Sequence, residues 1–361
     1  MTSFASAAEA PPGGWKRQRI RPEVVLRRAI LTVVMSGVVI AFLSPLAYSA
    51  LMSLKSERQI SELNAPILPS DPETFEFEGE TYDVYYVPMP DGTTRELALT
   101  DPGRQESGFI DPADPSAGEV RWQGSWRTLS QPWQTNPQWG NYAEVWTSID
   151  FPRLLFNTVA LALIGTFGTV LSCLLVAYGF ARFRFPGRGL LFTLLLATIF
   201  LPAAVTLIPT YTLFVKLGWV GTWLPLLVPA FFANAYDVFL IRQYLLTIPR
   251  DLDEAAAIDG ASALRILRSV ILPQAWPVIV AVSIFTFVYS WNDFFGPLIY
   301  LAGQPELQPL QVGLSAFNGI YFTQANLIQA GNIMTLIIPV LLFVIFQRVF
   351  TRGIVITGVE K

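Results

Sequence analysis

The chain has 361 residues, 24 Lys and Arg against 27 Asp and Glu, and a formal net charge of −3. Its residues are 52% hydrophobic and 14% charged, little more than half the charged share of an average soluble domain, about 25%, so the composition favours a polytopic membrane protein. The lack of histidine and the single cysteine, Cys173, exclude Ser-His-Asp and Cys-His catalysis, His-ligated zinc or haem, internal disulfides and Cys-rich metal sites, and a pI near 5.2 argues against nucleic acid.

Residues 1–28 read as a disordered tail rich in Ala, Pro and Gly, ending in a basic run: Lys16, Arg17, Arg19, Arg21, Arg27 and Arg28. A crossing helix needs roughly 20 mostly apolar residues, and six stretches qualify: Ala29–Leu51, Leu154–Phe180, Leu190–Phe214, Thr222–Ile241, Trp276–Phe295 and Ile328–Phe346. The first is too long for a signal-peptide core and no small-x-small site follows it, so residues 29–54 are expected to stay as an uncleaved first span.

Residues 55–153 differ in character. Val84–Val87 and Arg95–Leu99 flank Pro88-Met89-Pro90-Asp91-Gly92, a hairpin signal. Glu119–Trp122 alternates like a strand, and Asp101–Gly118, rich in Asp, Pro and Gly, reads as loop. A β-rich insert over about 70–131 is expected, with Tyr82, Tyr85, Tyr86, Trp122, Trp126 and Trp133 supplying its core; a disordered loop is the alternative. Residues 154–361 form the remaining core of spans.

Lys and Arg in the short connections fix the orientation. With the N-terminus inside, sixteen lie on that side, including Arg182, Arg184, Arg188, Arg242, Arg250, Arg265 and Arg268, and one, Lys216, lies outside. Both termini are therefore expected in the cytoplasm. The long segment Lys55–Arg153 carries a net −10 and the rest of the chain +7, so the acidity belongs to the insert.

Two spans hold a carboxylate. Asp237, near the cytoplasmic end of the fourth, is open between a solvated end charge and a path residue. Asp293, with Asn292 near the outer end of the fifth, is a candidate path residue, because carboxylates within spans face cavities or partners. Cys173 reads as a packing residue. Gly165 and Gly168, with Thr166 and Thr169, read as a close helix contact.

The connection between spans four and five, residues 249–273, describes a helix pair. Asp251 is expected to cap the first helix, with Glu254 three residues on closing a capping box. Ala255 and Ala256 give a smooth face, and Gly260 ends the helix. A second helix is expected from about Ser262 to Val270, with Leu264, Leu267 and Ile271 as its apolar face, and Pro273 marks the entry to span five.

The run Glu254-Ala255-Ala256, Asp259-Gly260-Ala261 and Leu272-Pro273 resembles the EAA loop of ABC importer permeases. Asn141-Tyr142, Phe151-Pro152-Arg153 with Asn157-Thr158, Ala177–Arg182, Arg242-Gln243-Tyr244, Trp291–Phe294 and Gln347-Arg348 with Arg352-Gly353-Ile354 extend the likeness to the carbohydrate-uptake branch, the maltose-type second permease. It covers residues 16–70 and 135–361 but not the insert. The resemblance implies the type I importer permease fold, all-α with six spans, in a bacterial inner membrane surrounded by lipid. It implies that Asp251, Glu254, Ala255, Ala256, Asp259, Gly260, Ala261, Leu272 and Pro273 couple to a cytoplasmic ATPase dimer, with a second related permease and a soluble or lipid-anchored substrate-binding protein as further partners. No G-x-x-x-x-G-K-[ST] is present, so this chain is expected to hold no cofactor or metal and to catalyse nothing itself, ATP and Mg sitting on the ATPase. A membrane enzyme would need clustered acids or a nucleophile–base pair, and a secondary transporter ion-coupling groups or repeats. The sequence presents none of these.

Overall fold

The computed structural model describes residues 22–62, 64–319 and 323–355. The basic residues Lys16, Arg17, Arg19 and Arg21, and Lys361, lie outside the described residues. Residues through Tyr48 form one unit and the chain from Ser49 a second. Helix α1, Pro22–Ser53, contains Pro45, and the apolar groups of its later part, Val33 and Phe42 among them, are exposed. Its 28-residue apolar portion, Leu26–Ser53, is about 42 Å long at 1.5 Å per residue, enough to cross a hydrocarbon core of about 30 Å.

After α1 comes a short helix α2, Glu57–Ser61, capped by the Ser56 hydroxyl, and then the β module. Strands β1 (Ser70–Pro72), β2 (Thr74–Phe77), β3 (Glu80–Pro88), β4 (Thr94–Asp101), β5 (Glu106–Ile110), β6 (Val120–Gln123) and β7 (Trp133–Thr135) are all antiparallel. β2 to β6 form one meander in chain order, and β1 pairs with β7 at its base. The expected hairpin is β3–β4, in register at Val87↔Arg95, with Gly92 at φ +82° in the turn. The expectation that 101–118 is loop is corrected, because β5 lies within it. Ser107 and Gly108 hide its strand pattern. A Cβ on Gly108 would collide with the Glu119 side chain, so the glycine admits a close neighbour at the cost of propensity.

The sheet buries Tyr85, Val87, Leu97 and Phe109 against Trp122, Trp126 and Leu129 from the return segment. Tyr85 meets Trp126 edge-on at 5.9 Å and Phe109 meets Trp122 at 6.3 Å, a favoured arrangement of aromatic quadrupoles. Tyr86, expected in this core, points to the opposite face, as strand alternation requires. Burial pushes the Tyr85 hydroxyl up to about 12.

The module is tied to the helices by buried amides. Gln59 donates to the Pro66 and Leu68 carbonyls at 2.9 and 2.7 Å and accepts from Ser70 N at 3.1 Å. Asn141, in helix α3 (Gly140–Ser148), donates to the Ser53 and Lys55 carbonyls at 2.8 and 3.0 Å. Arg58 pairs with Asp83 across the same stem.

Helix α4 (Phe151–Arg182) is the centre of the helical part. The third apolar stretch is not the continuous span the sequence suggests. It is two helices, α5 (Arg188–Ala197) and α6 (Ala203–Lys216), with the limbs Arg188–Phe200 and Ala203–Lys216 bent by 98°. Pro202 has no N–H to continue the helix and disfavours helical backbone at Leu201; Leu201 is extended at ψ 115°. The fourth stretch is also interrupted. Helix α7 (Leu224–Leu227) and a 3-10 turn lead to a break at Phe232, and helix α8 (Ala235–Thr247) restarts beneath the Asn234 cap.

Helix α9 (Asp251–Ile258) and helix α10 (Ala263–Ile266) follow, and α10 runs through a π turn, Leu267–Ile271, into helix α11 (Leu272–Trp291). Helices α12 (Phe295–Tyr300) and α13 (Leu310–Leu314) lead to helix α14 (Ala325–Val355). Among the described residues five helices are long and apolar enough to cross a membrane, or six with the bent pair.

Two cores hold these helices. One packs Cys173, Ala177, Ala181, Val238, Ile241, Leu245, Ile271 and Ala275 from α4, α8 and α11. The other packs Leu154, Phe287, Trp291, Leu310 and Leu327 from α4, α11, α13 and α14. Cys173 is fully buried in the first. Gly168 lets the Phe231 ring approach, since a Cβ there would lie 2.8 Å from it.

Candidate functional site

Two regions answer to the candidate residues. The first is the α9–α10 hairpin. Arg250, with helical angles, stands at the N-cap, and its carbonyl accepts from both Asp253 N (2.9 Å) and Glu254 N (3.1 Å). The expected capping box is therefore absent. Asp251 is the first helical residue, and no side chain caps the helix. Asp251, Asp253 and Glu254 instead place three carboxylates in the first turn, where the helix dipole favours negative charge.

Gly260 ends α9 as expected, at φ +78°. Its N–H reaches the Ala257 carbonyl at 3.0 Å and the Ala261 N–H reaches back to Ala256 at 3.0 Å, the paired bonds of a Schellman motif. Asp259 is the C-cap. Ser262 then caps α10, accepting from Arg265 N at 3.4 Å.

The second helix does not stop at Val270. Pro273 lacks the N–H that a continuing α-helix would supply, and the chain inserts a π turn in which Leu272 N bonds to the Leu267 carbonyl. The inward face is Ile266, Leu267 and Ile271, all buried, whereas Leu264 is 69% exposed. Leu264 is thus corrected from the inner face to the outer. It joins Ile258, 87% exposed, and Leu252, 40% exposed, on the surface of the hairpin, alongside Glu254 and Ala255. Ala256, Ala261 and Leu272 face the other way and pack on the α4–α8–α11 core.

Side chains from α4 fix this hairpin. Arg182 Nε lies 2.9 Å from Asp253 Oδ2, with side chains 6% and 18% exposed, and Arg182 Nη2 donates to the Ile248 carbonyl at 3.0 Å. Arg250 reaches back to the Ala181 carbonyl at 3.4 Å, and the Tyr178 hydroxyl donates to the Ala263 carbonyl at 3.1 Å. Burial holds the Asp253 carboxyl above the usual range, opposed by the charges of Arg182 and Arg250. Asp253 is the site residue that sequence reasoning missed. It reads as one more acid in a first turn, and its partner lies on a different helix.

The second region is a cleft of about 510 Å³ between α4, α8 and α11. Asp237 and Asp293, on different spans, line the same space. Asp237 is buried and sits in the middle of the 24-residue segment Leu224–Thr247, at the restart after the break. Its placement near the span end is thereby corrected, because the span continues beyond Ile241 to Thr247. Asp237 Oδ2 accepts from Asn234 Nδ2 at 2.7 Å, and Asp293 Oδ1 accepts from Gly296 N at 3.1 Å. Asn292 does not line the cleft. It is the exposed C-cap of α11, donating to the Val288 carbonyl at 2.8 Å. Thr169, expected in a helix contact, lines the cleft instead. Among the described residues no cluster of three His, Cys, Asp or Glu side chains forms a metal site.

Residues 168–355, which contain both regions, match the family model described as binding-protein-dependent transport system inner membrane component. The chain belongs to this family. A permease protein for uptake of osmoprotective compounds, from a Synechocystis strain, is 34% identical over 68% of this chain and 83% of its own length. A permease protein of the sn-glycerol-3-phosphate transport system of Pectobacterium atrosepticum is 33% identical over 60% of this chain and 79% of its own. A bacterial ABC transporter involved in import of the acidic polysaccharide alginate shares the fold, with a TM-score of 0.63 at 19% identity over 91% of this chain and 98% of that one. The chain is thus a transport permease of the ABC importer type, a multi-pass inner-membrane component. The family match begins within α4 and leaves the β module outside it.

Proposed function

We propose that this permease forms half of the translocation path of an ATP-driven importer of a sugar or related carbohydrate, and that the α9–α10 hairpin receives the motion of a separate ATPase. The observation that carries this reading is the hairpin's two-sidedness. One face is locked to α4 by Arg182–Asp253 and by buried apolar groups. The other presents Leu252, Ile258 and Leu264 to solvent, an apolar patch suited to a partner's groove. A push on the outer face is delivered to the ends of α4, α8 and α11 together, which is how a partner's closure biases a two-state bundle.

A second, related permease completes the path, ATP and Mg belong to the ATPase dimer, and a substrate-binding protein delivers solute from outside. The positive-inside count supports both termini and the hairpin in the cytoplasm and the β module outside. The module is acidic, and we assign it a role in docking or retaining the binding protein. The cleft holding Asp237 and Asp293 is the chain's share of the path, with Asn292 beside it at the end of α11. The test is ATP-dependent uptake by the assembled transporter in proteoliposomes. Glu254→Lys and Gly260→Val should each uncouple it while the chain stays in the membrane, and normal uptake in both would overturn the reading.

A further inference from the structure

The cleft carries one inference beyond its place on the path, and it rests on that reading. Its two charged groups are both carboxylates, and among the described residues no Lys or Arg lines it. Arg242, further along α8, is turned away, donating to the Phe180 carbonyl at 3.3 Å and lying 4.2 Å over the Phe192 ring. Both carboxylates are held by neutral donors, Asp237 by Asn234 Nδ2 and the Thr286 hydroxyl and Asp293 by Gly296 N, so neither requires a cation. Thr169, Ser290 and Tyr289 add hydroxyls that can donate or accept. The aromatic side chains of Phe232, Tyr236 and Tyr289 line the same space and are exposed.

We propose that this cleft is a solute subsite for uncharged polyhydroxylated molecules and that it turns anionic solutes away. A carboxylate accepts hydroxyl hydrogens in short charge-assisted bonds, and ring faces cover the apolar C–H faces of a sugar. A phosphate or uronate in the same space meets two like charges in a medium of low dielectric, with no counter-charge from this chain. A cationic solute is the competing occupant, and the choline probe tests it. The assignment separates this permease from its relative named for sn-glycerol 3-phosphate.

The test uses the complete transporter with its binding protein in proteoliposomes. The probes are radiolabelled maltose, trehalose and glycerol as uncharged solutes, sn-glycerol 3-phosphate and digalacturonate as anions, and choline as a cation. ATP-dependent uptake of an uncharged probe at least tenfold faster than either anion is expected. Asp293→Asn and Asp237→Asn should each slow that uptake about tenfold while binding-protein-stimulated ATP hydrolysis persists. ATP-dependent uptake of an anion or of choline in preference to the uncharged probes would overturn the inference and leave the importer reading standing. Unchanged uptake in the Asp237→Asn/Asp293→Asn double variant would do the same. Absence of ATP-dependent uptake for every probe would overturn both.

Discussion

Arg182, the last residue of α4, holds its Nε 2.9 Å from the Asp253 carboxylate in α9, and both side chains are largely withdrawn from water. The pair joins a spanning helix to the hairpin we assign to coupling. Removing one partner of such a pair leaves an uncompensated charge, with a cost of roughly 3 kcal/mol at full burial and less here, since Asp253 keeps some exposure. Arg182→Ala should therefore lower the thermal midpoint of the detergent-solubilised complex and reduce uptake more than ATP binding. A double-mutant cycle with Asp253→Ala should return a coupling energy of about 1–2 kcal/mol. Additive effects of the two changes would show that the contact carries no energy.

The same carboxyl sets a pH dependence. Burial raises the folded-state pKa of Asp253 above its unfolded value of about 3.9. In the window between those values the folded state binds more protons, so stability falls as pH rises through it. The penalty is fully present above the folded pKa and absent below the unfolded one. Asp253→Asn removes the titration. On acidification through this window the wild-type thermal midpoint should gain relative to the Asn variant. A constant difference between the two would refute the assignment.

Gly260 is constrained by its backbone and not by crowding. An added Cβ would meet nothing within 4 Å, but φ is +78°. L-residues pay roughly 1–2 kcal/mol in this region, and β-branched ones more. Gly260→Val should cut uptake at least tenfold by disturbing the Schellman turn. Gly260→Asn, which tolerates the conformation better, should retain more of it. Equal uptake by the two variants would point to side-chain contact as the determinant instead.

The β module should fail independently of the spans. Phe109 is fully buried at its centre, and Phe109→Ala should cost about 3–5 kcal/mol. Limited proteolysis should then cut within 70–135 while the helical part stays intact. Because Ser70 and Thr135 are paired neighbours, a short Gly-Ser linker can replace the module. The deletion should reduce uptake at limiting binding protein, and unchanged uptake would remove the docking role.

The spans were legible because twenty apolar residues in a row have few other uses, and the hairpin turn because Gly260 marks its own conformation. The break at Pro202 was not, since the run on both sides stays apolar. β5 was hidden by Ser107 and Gly108, whose strand character comes from pairing with β4 and β6. Asp237 and Asp293 were each visible as carboxylates in spans, but their convergence is a product of packing between α4, α8 and α11. Leu264 shares an apolar i, i+3, i+7 spacing with Leu267 and Ile271, but the buried face of α10 is centred on Ile266 and Leu267, which that spacing does not reveal. The partnership of Arg182 with Asp253 is likewise tertiary, and no local pattern announces it.

The central claim, that the α9–α10 hairpin is the ATPase contact, has a direct measurement. Cys173 is fully buried, so a cysteine placed at Ile258 or Leu264 supplies an accessible thiol against a quiet background. With a short bifunctional thiol reagent and cysteines placed along the ATPase groove, Ile258→Cys and Leu264→Cys should cross-link to the ATPase in the assembled complex, with a yield that changes on ATP binding, whereas a cysteine at Tyr86 on the β module should not. Failure of both hairpin positions to cross-link in a complex that still transports would contradict the account.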